Sequence, residues 1–152
     1  MELGRLLGAA DIAASGLSAE RSRMDAATRN IANAHVTHTD DGGPYRREEV
    51  VLSNASLQPS FSSLQPSFSS LQTLRGVQVV GVEQDASPFP RVFNPGHPDA
   101  DADGFVAMPN VQIPREMVDL LTASRAYEAN LKSLSMFEEM AEQTLSLLRG
   151  GR

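Results

Sequence analysis

The sequence predicts a mainly α fold with a small β-rich middle: long N- and C-terminal helices pair as a coiled coil, with an extended or β insertion between them. Three observations predict it. Between Pro114 and Gly150 no Pro and no Gly interrupts a helix. At both ends of the chain, apolar or small residues recur every seven positions, the period of a coiled-coil seam. The stretch between is rich in Gly, Pro, Ser and β-branched residues, which favour turns and short strands. The chain therefore divides into an N-terminal helical assembly segment at 1–37, a β-rich or extended middle at 38–112, and a C-terminal helical assembly segment at 113–152.

In the first segment, Leu3, Ala10, Leu17, Met24 and Ile31 fall seven apart, and Leu6, Ala13 and Ala27 form a companion row that Glu20 interrupts. Arg21, Asp25 and Arg29 stand four apart on another face, where alternating charges give modest local support. Gly16 costs about 1 kcal/mol inside a helix relative to Ala. It marks either a kink or a loop between two shorter helices, or a point where another backbone comes close. Asn30 and Asn33 close the segment, and either can take the left-handed cap conformation. His35, Val36, Thr37 and Thr39 are poor helix formers and end it.

The middle opens on a turn, Asp41-Gly42-Gly43-Pro44, and residues 45–52 then read as a strand. Next, Ser-Leu-Gln-Pro-Ser-Phe-Ser at 56–62 is copied unchanged at 63–69, with a partial copy to 72. Pro59 and Pro66 recur within it, so the repeat is a linker and not a helix. Val77, Val79, Val80 and Val82 predict a strand over 76–84. Pro88, Pro90, Pro95 and Pro98 break the next stretch into extended pieces, before a short final strand at 104–108.

The last segment carries one row at Ile113, Leu120, Tyr127, Leu134, Ala141 and Leu148. A second row runs Met117, Ser124, Leu131 and Leu145, with Glu138 as the intruder. Pro114 suits the first helical position, Glu116 and Asp119 the positive end of the helix dipole, and Arg149 the negative end. At ~1.5 Å per residue the helix is roughly 50 Å long, and a seam of that length calls for a partner.

Composition agrees. Of 152 residues 41% are hydrophobic, but only 5% are aromatic and Trp is absent, so Ala, Ser and Leu must do the packing, as in close helix–helix contact. The net charge of −6 argues against nucleic acid or an anionic membrane as partner. Without Cys there is no disulfide, thiolate zinc site or thiol nucleophile. No run is long and apolar enough to span a membrane, and residues 1–8 do not read as a secretory signal.

Residues 99–104 place Asp99, Asp101 and Asp103 at positions 1, 3 and 5 of a calcium loop, with Gly104 at 6 and Val106 at 8. Position 12 is Asn110 where a bidentate Glu is needed, and Pro95, Pro98 and Pro109 exclude the flanking helices. An acidic turn is expected and no metal site, these three carboxylates being the nearest approach to one. His35 and His38 beside Asp40 and Asp41 read as solvated loop residues. No phosphate loop, nucleophile elbow or paired-carboxylate motif is present, so neither catalysis, a cofactor nor a small-molecule substrate is expected.

Ala14-Ser15-Gly16-Leu17-Ser18-Ala19-Glu20, Arg23-Met24 and Asn30-Ile31-Ala32-Asn33 through Thr37 resemble the N-terminal signature of bacterial flagellar rod and hook proteins. Asn94-Pro95-Gly96-His97-Pro98-Asp99, with Gly104, Val106 and Met108-Pro109-Asn110-Val111, is similar to the proximal-rod members of that family. Glu116-Met117-Val118 and Ala123-Ser124-Arg125-Ala126-Tyr127-Glu128-Ala129-Asn130 resemble its C-terminal helix. The repeat has no counterpart in that pattern. The resemblance implies a structural subunit, exported unfolded through the flagellar type III apparatus without a cleaved signal. Such subunits polymerise helically into the hollow periplasmic rod that transmits torque and contains the export channel. Its implied partners are copies of itself, other rod proteins, and basal-body ring and export-apparatus proteins. The residues expected at the assembly interface are Leu3, Leu6, Leu17, Met24, Asn30, Ile31, Asn33, Asn110, Met117, Leu120, Leu121, Tyr127, Asn130, Leu131, Leu134, Leu145 and Leu148. The Asn residues are expected to cap helices or to bond across subunits. The alternatives are a rod-associated hydrolase using the carboxylates at 99–103, or a component of a related type III secretion assembly.

Overall fold

A computed structural model describes residues 2–40, 42–56 and 75–150. The repeat from 57 onward and the side chains of Leu3, Leu6 and Leu148 lie outside the described residues. Two helices bracket a small strand region. Helix α1 is Glu2–Ala32, strand β1 Glu48–Ser56, β2 Arg75–Gln84, β3 Arg91–Phe93, β4 Phe105–Ala107, and helix α2 Ile113–Gly150. β1 pairs with β2, and β3 with β4. The second pair is antiparallel, with Arg91 opposite Ala107, Val92 opposite Val106 and Phe93 opposite Phe105.

Gly16 lies inside a continuous α1, so no loop divides it into two shorter helices there. The chain leaves α1 without a left-handed cap, because no described non-glycine residue has positive φ. That corrects the expectation for Asn30 and Asn33. The last turn closes instead by short-range bonds, Ala34 N–H to Ile31 C=O and Val36 N–H to Asn33 C=O. Consecutive left-handed glycines, Gly42 and Gly43, then turn the chain back so that Tyr45 N–H meets Val36 C=O at 3.0 Å. This backbone is bonded outside any ladder, which moves the start of β1 from Tyr45 to Glu48. β3 falls within the stretch read as broken by prolines. It survives because it needs only three residues between Pro90 and Pro95, with Met108 N–H on Pro90 C=O and Asn94 N–H on Gly104 C=O closing its ends.

The chain forms two compact units, each drawing on both helices. One comprises Met1–Arg21, Leu52–Val80 and Arg125–Arg152; the other comprises Ser22–Val51 and Gly81–Ser124. The buried apolar side chains among the described residues are mostly alanines: Ala13 and Ala19 in the first unit, Ala26, Ala27, Ala34 and Ala123 in the second, joined there by Val106. Small side chains let helix backbones approach closely, and the scarcity of aromatics leaves little else for a core. Among the described residues no helix is long and apolar enough to cross a membrane.

Candidate functional site

The second unit is organised around polar groups. Glu116, in the first turn of α2, is only 1% exposed, as is Asn30 near the end of α1. Glu116 Oε2 accepts from Asn30 Nδ2 at 2.8 Å, and Oε1 from Arg47 Nε at 2.6 Å. The Asn30 carboxamide is used completely. Its second N–H goes to Glu48 C=O at 2.9 Å, and its oxygen accepts from Glu48 N–H at 2.9 Å and from the Tyr45 hydroxyl at 3.0 Å. One side chain thereby joins α1, the start of β1 and the start of α2. Arg47 is 6% exposed, and Glu49 at 3.2 Å, Asp119 at 3.6 Å and Asp85 at 3.9 Å surround its guanidinium. Burial works to lower the Arg47 pKa, but the hydrogen bond and charge of Glu116, with those of Glu49, outweigh it and the net shift is upward. Tyr45 is also pushed above its usual value, by burial first and then by the charge of Glu48.

Asn110 pins the same unit from another side. Its Oδ1 accepts from Arg47 N–H at 2.8 Å, and its Nδ2 donates to Asp85 C=O at 3.1 Å. Asn33 bonds back to Arg29 C=O on its own helix. In the first unit Asn130 faces Gly16: a Cβ built on Gly16 would stand 2.8 Å from Asn130 Nδ2. The neighbour that requires glycine here is a side chain and not the backbone the sequence suggested.

The two rows expected on α2 fare differently. Ile113, Leu120, Tyr127, Leu134 and Ala141 are half-buried. Met117 at 52%, Leu121 at 60%, Leu131 at 48% and Leu145 at 53% are exposed. Next to the half-buried row lie Glu116, Ala123 and Asn130, again seven apart, the first two fully buried. On α1, Ala13 and Ala27 of the companion row are buried, while Leu17, Met24 and Ile31 are half-buried. Sequence reasoning missed Arg47 and Glu116 as interior residues. Arg47 sits in the charged run Arg46-Arg47-Glu48-Glu49 and Glu116 beside Arg115, so no local signal in the sequence singles them out.

Of the carboxylates at 99–103, Asp101 holds the turn and Asp99 is engaged by Thr37. Asp101 Oδ1 accepts from Phe105 N–H at 2.8 Å and Asp103 N–H at 3.0 Å, its other oxygen pairs with Arg91, and Asp99 accepts from Thr37 Oγ1 at 2.6 Å. The Phe105 N–H foremost, with Asp103 N–H and Arg91, outweighs the opposing effect of burial and holds the Asp101 carboxyl below the usual carboxylate range. Among the described residues no three His, Cys, Asp or Glu side chains are grouped to hold a metal ion.

Comparison with known proteins is consistent along the chain. A family profile described as "Flagella basal body rod protein" matches residues 11–37, and one described as "Flagellar basal body rod FlgEFG protein C-terminal" matches residues 102–147. The flagellar basal-body rod protein FlgC of Borreliella burgdorferi is 37% identical, over 95% of this chain and 99% of its own. That of Yersinia enterocolitica is 40% identical, over 93% and 97%. That of Bacillus subtilis is 37% identical, over 90% and 94%.

Proposed function

The chain belongs to the FlgC family of flagellar basal-body rod proteins, as a structural subunit and not an enzyme, and from that premise we propose how its surfaces divide the work of assembly. The polar seam holds the subunit's own fold, and the exposed apolar row of α2 joins it to its neighbours in the flagellar basal body. The observation that carries this reading is the position of Met117, Leu121, Leu131 and Leu145. These are large apolar side chains at helical spacing, left in water by a chain that buries mainly alanine.

Within the subunit, α1 and α2 pair as an antiparallel coiled coil. What supports this is a contact between the two helices in each unit, Gly16 against Asn130 in the first and Asn30 bonded to Glu116 in the second. Between subunits, burying the apolar row at ~25 cal/mol per Å² over several neighbours makes polymerisation cooperative. A heterologous contact repeated by rotation and rise builds a helical tube. Its partners are copies of the chain and other rod proteins, with ring and export-apparatus proteins at its ends. Its route is export through the flagellar type III apparatus to the periplasm.

Leu131→Asp tests the division. Because Leu131 is already exposed, the purified variant should keep its helicity and its urea midpoint within about 0.5 kcal/mol. Cells carrying it should make no rods and should not swim. Normal swimming would refute the assignment of this row to assembly.

A further inference from the structure

The second unit carries an aromatic knob and, separately, a cleft of matching character. Phe93 on β3 is 63% exposed and Phe105 opposite it on β4 is 37% exposed, their rings edge to face with centroids 5.3 Å apart. A chain with six Phe and no Trp has few large rings, and this one displays two on its surface.

The display is rigid. Arg91 lies over the Phe105 ring at 5.3 Å and pairs with Asp101, whose carboxylate holds the turn behind the strands. Gly104 has φ of +79°, and any Cβ there would meet the Phe93 ring at 3.0 Å, so the turn is built to seat that ring. Little side-chain order remains to be lost on docking. Asp99 and Asp103, both exposed, give the knob an acidic rim.

The cleft is about 350 Å³; Pro88, Phe89, Pro90, Pro109 and Val111 form its apolar wall, and Arg47, Asp85, Ser87, Asn110, Gln112 and Arg115 line the rest. That volume is at the size of small ligand sites, roughly 300–1,000 Å³. Proline and aromatic walls present rigid apolar surface to a ring. Arg46 stacks on Phe89 at 4.2 Å and donates to Asp85 C=O and Ser87 C=O, which fixes the wall. Arg115 is exposed, and with Arg47 and Arg115 against the single acid Asp85 in its lining the cleft is net positive, which complements the acidic rim of the knob.

The geometry points to the Phe93–Phe105 knob of one copy of this chain docking in the Pro88–Phe89–Pro109 cleft of a second copy, with Asp103 facing Arg115 across the rim. Knob and cleft are different patches of one unit, so the contact is heterologous. Repeated, it propagates and does not close into a dimer, as a rod requires. The inference rests on the rod-subunit reading and names one of its contacts.

The native chain has no Cys, so single cysteines report contacts cleanly. Two chains, one with Asp103→Cys and one with Arg115→Cys, the positions that face each other in the proposed contact, are co-expressed, and isolated hook–basal bodies are mildly oxidised. A disulfide dimer that forms only when both variants are present is expected. A dimer from Asp103→Cys alone, or no dimer in rods of normal yield, overturns the inference. Should the cysteine chains not enter rods, a photoreactive benzoylphenylalanine at Phe93 replaces them. Crosslinking to peptide 85–115 of another copy is expected, and crosslinking to a different rod protein overturns the proposal.

Independently, Phe93→Ser should lower rod yield about tenfold, as for a central interface residue. Asp103→Arg and Arg115→Asp should each lower it and together restore it. Mass spectrometry of wild-type basal bodies separates the two levels. If the chain is absent from them, the rod reading fails. If it is present and Phe93 makes no such contact, only this inference fails.

Discussion

Asn30→Ala is the sharpest test of the polar seam. The substitution removes four hydrogen bonds at a site 1% exposed: two to the Glu48 backbone, one from the Tyr45 hydroxyl and one to the Glu116 carboxylate. Three of these are ordinary bonds, each worth about 1 kcal/mol net, and the bond to a charged group is worth about 1.5–3 kcal/mol. Alanine's better helix propensity returns about 0.5 kcal/mol, and water entering the space re-satisfies part of the rest. The expected loss is about 3–5 kcal/mol, against a total of about 5–15 kcal/mol for a typical domain. The assay is urea unfolding of the purified chain followed by far-UV circular dichroism, with the midpoint falling and the slope unchanged. Asn33→Ala is the control. Its side chain only bonds back to Arg29 C=O, so it should cost less than about 0.5 kcal/mol. A loss below about 1 kcal/mol for Asn30→Ala, or equal losses for the two variants, would refute the reasoning.

Gly16→Ala should gain nothing in the native chain, because the new Cβ meets Asn130 and offsets the ~1 kcal/mol propensity advantage. In an Asn130→Ala background the same change should stabilise by about 1 kcal/mol. A double-mutant cycle on unfolding midpoints measures this coupling, and a coupling near zero removes the contact from the argument. The β3–β4 hairpin should weaken in acid. Asp101 has a lower pKa folded than unfolded, so its stabilising share is complete above the usual carboxylate value near 3.9 and is lost as pH falls through the folded value. The amide resonances of Gly104 and Phe105, followed from pH 6 downward, should shift with one low pKa in the native chain, and that step should be absent in Asp101→Asn.

Helix extents and most strands were legible in the sequence because spacing and breakers write them locally. The uninterrupted run after Pro114 becomes α2, and the valine pattern becomes β2. The interior row of α2 was harder to read. A hydrophobic pattern selects Met117 and Leu131, yet Glu116, Ala123 and Asn130, each one position earlier, take the inner face. Glu116 and Asn130 are polar, and only partners distant in sequence make them interior residues. Arg47 and Asn30 belong to α2's first turn through bonds that span 69 and 86 positions. No local periodicity carries that information. β3 was hidden for a related reason: three residues between prolines have no pattern until Phe105–Ala107 pairs with them.

The polar interior and the apolar exterior belong to one design. A buried ion pair is seldom the most stable filling for a helix interface, but removing one partner strands the other, so the network tolerates few alternative registers. An apolar seam between the helices would be stronger and less particular, and it would compete with the exposed row for the same kind of partner. With polar contacts joining the two helices, the exposed leucines and methionines of α2 would be left for the contacts between chains proposed above. The two sets of substitutions should therefore separate in experiment. Changes at Asn30, Arg47 or Glu116 should lower the stability of the lone chain, while changes at Met117, Leu121, Leu131 or Leu145 should leave it folded and unassembled. If Leu131→Asp and Asn30→Ala instead gave the same loss of lone-chain stability, the division between folding surface and assembly surface would not hold.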